Sequence, residues 1–308
     1  MCLIFMGAGT FLLLCCLLCA CAPAGPAAPA PSVTAAPTAT AEPSATPAAS
    51  ATAPPTQTAA PTLTPTAPAF VREIGLDCTD QALLENGVLR AENNTWGKGD
   101  LTGWAQCIGL ANGPDGSLAA RWTWDWPQGS TSVRAYPEVI YGQKPGAATS
   151  SAPDLPRKVN DLAELRITYD IRATHTGTGN TAFDIWLTDS ANPTQFGVPP
   201  ITHEIMIWLE GYGSMRPGGG LDEQVEIDGV RYLVYSAKDW GSGWTYAAFA
   251  RDPYQMGAGT IDLVSFLSYL RERELLSGEE YVASIELGSE VVSGSGEALL
   301  SRFAVSVR

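Results

Sequence analysis

Acidic residues alternate with apolar ones at several points of this 308-residue chain, and the alternation separates two kinds of surface. Successive side chains of an extended strand point to opposite faces. In His203–Glu210 one face then carries Ile205, Ile207 and Leu209, and the other Glu204, Met206, Trp208 and Glu210. Phe183–Thr188 divides the same way, with Phe183, Ile185 and Leu187 against Asp184, Trp186 and Thr188. In Tyr281–Val292, Ile285 and Leu287 share one face, while Glu286, Gly288 and Glu290 share the other. Arg121–Trp126 adds Trp122, Trp124 and Trp126 on a single face. Carboxylates beside indoles make the chemistry of a carbohydrate cleft: the apolar C–H faces of sugar rings stack on indoles, and carboxylates bind hydroxyls. Cleaving a glycosidic bond needs two carboxyl groups flanking it, one to donate a proton and one to attack or to activate water. A lectin-like binder would use the same surface, and residue types alone leave both readings open.

The elements that must position these residues read as strands. Turn residues recur every eight to twelve positions between short β-rich runs, which points to a sandwich or barrel. The candidate strands are Arg166–Ala173, Ala182–Asp189, His203–Glu210, Trp244–Arg251, Tyr281–Val292 and Leu299–Val307. Gln224–Ile227 and Val230–Tyr235 flank Asp228-Gly229, a strong hairpin signal. One helix is expected over Asp262–Leu275, with Leu263, Phe266, Leu267 and Leu270 on one face and Asp262 at its start. An alternating βαβα pattern is absent, which excludes a doubly wound parallel sheet.

Five segments follow one another in the chain: Asn93-Asn-Thr-Trp-Gly97, Val133-Arg-Ala-Tyr-Pro137, Phe183-Asp-Ile-Trp-Leu-Thr188, Glu204-Ile-Met-Ile-Trp208 and Gly288-Ser-Glu290. In that order they resemble glycoside hydrolase family 12, which contains endo-β-1,4-glucanases and xyloglucanases. The resemblance runs from about Asp77 to the C-terminus. It implies an all-β fold: a β-jelly roll sandwich of two curved antiparallel sheets with one α-helix and the substrate cleft on the concave sheet. It implies a retaining double displacement, for which the two carboxyl groups stand about 5–5.5 Å apart. Glu204 matches the nucleophile, Glu290 the acid/base, and Asp184 a carboxylate that hydrogen-bonds the nucleophile. Asn94, Trp96, Trp124, Met206 and Trp208 are the expected substrate-binding residues. The expected substrate is a β-1,4-glucan or, on the same scaffold, xyloglucan. A non-catalytic glucan-binding protein is the alternative of another class. No cofactor or metal is expected.

Other motifs fail on inspection. His203-Glu204 begins like a zinc-binding HExxH helix, but position 207 is Ile. Gly177-x-Gly179-x-x-Ala182 mimics a dinucleotide fingerprint but lies between two strands, so it reads as a turn. Glu286 shares the face of Glu290 and is a second candidate cleft carboxylate. The formal charge of −14 argues against nucleic acid, whose phosphates require clustered Lys and Arg.

The composition divides the chain into three parts. Residues 1–21 form an apolar head ending Leu18-Cys19-Ala20-Cys21, which resembles a bacterial lipoprotein signal with Cys21 as the lipidated residue. A cleaved secretory signal or a retained anchor are the alternatives, since no Lys or Arg precedes Arg72. Residues 22–69 are nearly all Ala, Pro, Thr and Ser, a composition that cannot bury enough apolar surface to fold. Residues 70–308 form the expected catalytic domain, within the size range of a single all-β domain. All three readings of the head place that domain outside the cytoplasm, most simply as a lipid-anchored monomer at the cell surface. There, Cys78 and Cys107 form the default disulfide pair.

Overall fold

The computed structural model describes residues 67–192 and 200–308. The apolar head with Cys21, and the Ala/Pro/Thr-rich stretch as far as residue 66, lie outside the described residues. In chain order the strands begin with β1 (Leu83–Asn86), β2 (Leu89–Glu92), β3 (Ala105–Asn112), β4 (Leu118–Trp126), β5 (Glu138–Gly142) and β6 (Arg157–Lys158). They continue with β7 (Leu165–His175), β8 (Thr178–Thr188), β9 (Ile201–Tyr212), β10 (Gly220–Ile227) and β11 (Val230–Trp240). The last four are β12 (Trp244–Arg251), β13 (Gly257–Asp262), β14 (Tyr281–Gly288) and β15 (Val291–Val307). A single-turn helix, α1 (Ala69–Arg72), precedes β1, and α2 (Leu263–Glu272) follows β13.

The strands pair into two layers. The cleft sheet runs β1-β2-β5-β14-β8-β9-β12-β11-β10. The outer sheet runs β3-β4-β15-β7-β13. β15 belongs to both: Val291 and Ser293 pair with β8, and the rest of the strand then runs between β4 and β7. Among the described residues, pairing is antiparallel except between β9 and β12, which are parallel. This is the jelly roll that the family resemblance implied, with one parallel pair among the described residues inside an otherwise antiparallel sandwich.

The alternation read from the sequence holds in three dimensions. Ile205, Ile207, Leu209, Phe183, Ile185, Leu187, Ile285 and Leu287 are all fully buried between the layers. Phe249 sits at the α2 end of this core, edge-on to Tyr232, Phe266 and Tyr269. Such edge-to-face pairs add about 0.5–1.5 kcal/mol each beyond area burial. The single long helix falls where its apolar face predicts. Asp262 caps it, its side chain accepting from the Val264 N–H at 3.2 Å. It stops at Glu272 rather than Leu275, because Glu274 adopts a left-handed conformation at φ +56°. The Asp228-Gly229 hairpin joins β10 to β11 as expected. The expected Tyr281–Val292 strand is divided: the chain leaves β14 at Gly288, bends through Ser289 and Glu290, and re-enters as β15.

The outer sheet carries its own supports. Val71, Ile74 and Ala67 pack on Ala119 and Leu299 from outside. The expected disulfide is present: Cys78 and Cys107 are joined, tying the segment before β1 to β3.

Candidate active site

The face of the cleft sheet turned away from the core lines a cleft of about 1020 Å³. Strand register decides which side chains meet there. Across β8 and β9, Trp186 lies opposite Glu204 and Asp184 opposite Met206. Across β14 and β8, Glu286 lies opposite Asp184. Glu290 reaches the same cleft from the bend between β14 and β15. The structure therefore brings Glu204, Asp184, Glu290, Asn94, Trp96, Met206 and Trp208 together in one cleft.

Their settings differ. Trp96 is 65% exposed and offers an open indole face. Met206 and Trp208 are buried and form the floor. The Met206 sulfur accepts from Trp208 Nε1 at 3.4 Å and from the Tyr246 hydroxyl at 3.5 Å. Asn94 Nδ2 donates to Glu138 Oε1 at 3.0 Å, and its Oδ1 accepts from the Trp96 N–H at 3.1 Å, so Asn94 braces the Trp96 turn. Trp124 does not join the cleft. It is 3% exposed and packs in the core with Trp122 and Trp126. The reason is topological: β4 belongs to the outer sheet, so the face that gathers the three indoles is its inward face. Alternation identified a shared face correctly but could not say which sheet owned it.

Burial governs the charges. Glu204 and Glu290 are each pushed up to about 7, mainly because their carboxylates are desolvated. The charge of Glu290 raises Glu204 further, and a hydrogen bond from Trp244 opposes the rise. For Glu290 the opposing hydrogen bond comes from Asn180. Asp184 is held well above the usual carboxylate range by burial, then by the charges of Glu204 and Glu290. The charge of Glu290 is one of the causes that raise Glu204, so ionising Glu290 opposes ionising Glu204.

One expected contact differs. No hydrogen bond joins Asp184 to Glu204 among the described residues, and their interaction is one of charge. Register explains this: Trp186 faces Glu204, and Asp184 lies two residues along β8 from it, opposite Met206. The group that does bond Glu204 is Trp244, whose Nε1 donates to Oε2 at 2.8 Å.

Sequence reasoning missed several groups. Asn180, fully buried at the start of β8, donates from Nδ2 to Glu290 Oε2 and accepts at Oδ1 from the Glu290 N–H at 3.1 Å. Its own N–H donates to the Glu290 carbonyl at 3.0 Å. Asn180 thus clamps both ends of the bend that carries Glu290. Trp240 and Trp244 flank the turn between β11 and β12; a Trp-Gly-Ser-Gly-Trp hairpin signal was available for them.

A row of carboxylates also crosses the sheet. β2, β5, β14, β8 and β9 contribute Glu92, Glu138, Glu286, Asp184 and Glu204 in that order. Glu138 is fully buried and Glu286 is 1% exposed. Lys144 serves the far end, with Nζ 2.5 Å from Glu138 and 2.9 Å from Glu92. Removing one partner of a buried ion pair leaves an uncompensated charge. Lys144→Met should therefore cost about 3 kcal/mol of unfolding free energy in denaturant titration. Glu138→Gln should cost markedly less, because the amide oxygen still accepts from Asn94 and Lys144 while one of the crowded charges is gone.

Comparison with known proteins gives four further findings. The family model described as Glycosyl hydrolase family 12 matches residues 87–308. Endoglucanase S of Pectobacterium parmentieri is 32% identical over 224 residues, covering 70% of this chain and 80% of that protein. Xyloglucan-specific endo-beta-1,4-glucanase A of Emericella nidulans is 29% identical over 220 residues, covering 70% and 84%. Among solved structures, a family 12 xyloglucanase from Bacillus licheniformis in complex with ligand superimposes with a TM-score of 0.68 at 28% identity, covering 76% of this chain and all of that one.

Proposed function

Since the chain belongs to glycosyl hydrolase family 12, we propose that it is a retaining endo-β-1,4-glucanase in which Glu204 is the nucleophile and Glu290 the acid/base. The observation that carries this reading is the convergence of Glu204 and Glu290, from β9 and from the β14–β15 bend, on one aromatic-lined cleft.

The chemistry follows from their states. Glu204, ionised, attacks the anomeric carbon while Glu290 protonates the departing glycosidic oxygen. The C–O bond to the leaving chain breaks as the bond to the Glu204 carboxylate forms. Glu204 then carries no charge, the neighbouring repulsion is lost, and Glu290 can take a proton from water. That water attacks the anomeric carbon, returns the electron pair to Glu204 and completes retention of configuration. Trp96 stacks a sugar ring, Asn94 holds its turn in place, and the Met206–Trp208 floor excludes water. Asp184 acts on the pair through its charge state.

kcat/KM should be bell-shaped. Activity falls at acid pH as Glu204 takes up a proton and at alkaline pH as Glu290 loses one. With both groups raised to about 7, the bell should centre near neutrality rather than at the usual carboxylate range.

Xyloglucan is a second substrate reading, favoured by the similarity to a xyloglucan-specific relative and to a xyloglucanase structure over nearly their whole lengths. One assay decides: release of reducing ends from carboxymethylcellulose, barley β-glucan and xyloglucan. Binding without release on all three would sink the hydrolase reading.

The disulfide fits an oxidising compartment. We further propose that the domain acts outside the cytoplasm as a monomer, carried on the Ala/Pro/Thr-rich tether and anchored by lipid at Cys21. Metabolic labelling with a fatty acid should mark the wild type and not Cys21→Ser, and equal labelling of both would reject the anchor.

A further inference from the structure

Glu204 has one side-chain hydrogen bond among the described residues, and its donor is an indole. An indole N–H can only donate. It therefore bonds a carboxylate lone pair and disfavours a proton on the oxygen it faces. The contact is built from more than one side. Trp244 opens β12 and pairs with Trp240 across the turn. Its ring meets Trp186 edge-on, with centroids 5.7 Å apart, and Trp186 lies directly opposite Glu204 on β8. The turn is shaped to seat the ring: Gly241 has φ +55°, and a Cβ there would fall 2.2 Å from the Trp244 indole. On the other side of the turn, Trp240 packs on Tyr246 with centroids 5.0 Å apart. The Tyr246 hydroxyl, in turn, reaches the Met206 sulfur two residues from Glu204. The hairpin is thus tied to β9 at both Glu204 and Met206.

We propose that Trp244, seated by Gly241, is the positioning residue of the nucleophile: by holding Oε2 it fixes the carboxylate and leaves Oε1 as the oxygen that attacks. This rests on the assignment of Glu204 as nucleophile and deepens it. In the first step a bond forms between Oε1 and the anomeric carbon, the bond to the leaving oxygen breaks, and that oxygen takes the proton of Glu290. Oε2 becomes the ester carbonyl and still accepts from Trp244. In the second step water gives a proton to Glu290 and bonds to the anomeric carbon, the bond to Oε1 breaks with its electron pair returning to the carboxylate, and the same hydrogen bond strengthens as its acceptor regains charge.

The charged groups around Glu204 bear on its titration. They are Asp184 on β8, Glu290 at the β14–β15 bend and the Tyr246 hydroxyl on β12. Glu286 and Glu138 lie behind Asp184, with Lys144 beyond them. None of these is altered by removing the indole N–H.

The test compares pH profiles of kcat and kcat/KM on the preferred glucan for wild type, Trp244→Phe, Gly241→Ala and Glu204→Gln, with the melting temperature as a folding check. Trp244→Phe should lower kcat about 10- to 100-fold, the scale of one hydrogen bond to a charged group. It should also move the acid limb upward by roughly one pH unit, because the lost donor favoured the ionised form. KM should change far less than kcat. Gly241→Ala, which displaces the ring without deleting it, should move the same limb in the same direction. An unmoved acid limb in a folded Trp244→Phe, with KM raised and kcat intact, would make Trp244 a sugar platform and overturn the proposal. Wild type inactive, or Glu204→Gln as active as wild type, would instead remove the nucleophile assignment on which it rests.

Discussion

Glu204→Gln should abolish turnover while leaving the fold intact. Losing the group that forms a covalent intermediate costs on the order of 10⁶-fold in kcat when no other residue replaces it. An amide cannot form the glycosyl ester, and water has no general base aimed at the anomeric carbon from that side. The fold should survive because the Gln oxygen can still accept from Trp244 Nε1, now 2.8 Å from Oε2. Stability should equal or exceed that of the wild type. Glu204 is pushed up to about 7 by burial, so the folded state pays to ionise it. Its penalty is absent below the ordinary carboxylate range and grows as the pH rises toward that value. The neutral amide removes it, so the gain in melting temperature should be visible at pH 8 and vanish near pH 4. Kinetics on the preferred glucan together with calorimetry check both halves.

Glu290→Gln should lower kcat on polysaccharide by about 10²- to 10⁴-fold, the usual contribution of general acid–base catalysis. The loss should depend on the leaving group. A sugar hydroxyl is a poor leaving group and needs the proton, whereas an acidic phenol departs without it. An aryl cellobioside with such a phenol should therefore form the intermediate at a rate much closer to wild type. Its hydrolysis should then slow, because the base for water is missing, and added azide, which needs no base, should restore turnover as the β-glycosyl azide. The alkaline limb of the pH profile should disappear, since that limb is the ionisation of Glu290 itself. The three hydrogen bonds joining Asn180 to the Glu290 segment explain why the effect is expected at this residue and not at Glu286. Glu286 is 1% exposed and accepts from the Ser284 hydroxyl at 2.8 Å within the row of floor carboxylates.

Much of this architecture was legible because strands impose a period of two. Ile205 and Ile207 against Glu204 and Met206 fixed the two faces of β9 without any structure, and the same rule placed Asp184 with Trp186 on β8. Trp124 shows the limit. Period two places Trp122, Trp124 and Trp126 on one face, but sheet membership depends on pairing with β3 and β15, and β15 is more than 160 residues away. Pairing over that separation leaves no local trace. Asn180 was invisible for a related reason: its role depends on meeting a bend 110 residues later. The Glu290 bend was itself read as continuous strand, because Gly288-Ser289 carries no obligatory break. Glu138 and Lys144 look like ordinary surface charges until register sets Glu138 beside Glu92 and Glu286 on a buried floor. Trp244 was hidden differently. Its hairpin was readable, but which carboxylate its N–H would reach depends on β12 lying parallel to β9, the one parallel pair among the described residues.

The proposed double displacement requires Glu204 to become covalently glycosylated. The most direct measurement is to treat the protein with an activated 2-deoxy-2-fluoro-β-cellobioside, which forms the glycosyl ester faster than it releases it, and to map the modified peptide by mass spectrometry. A single fluorocellobiosyl group on Glu204, absent from Glu204→Gln, is the result expected. The same label on Asp184, Glu286 or Glu290, or an unlabelled protein that still hydrolyses the glycoside, would contradict it.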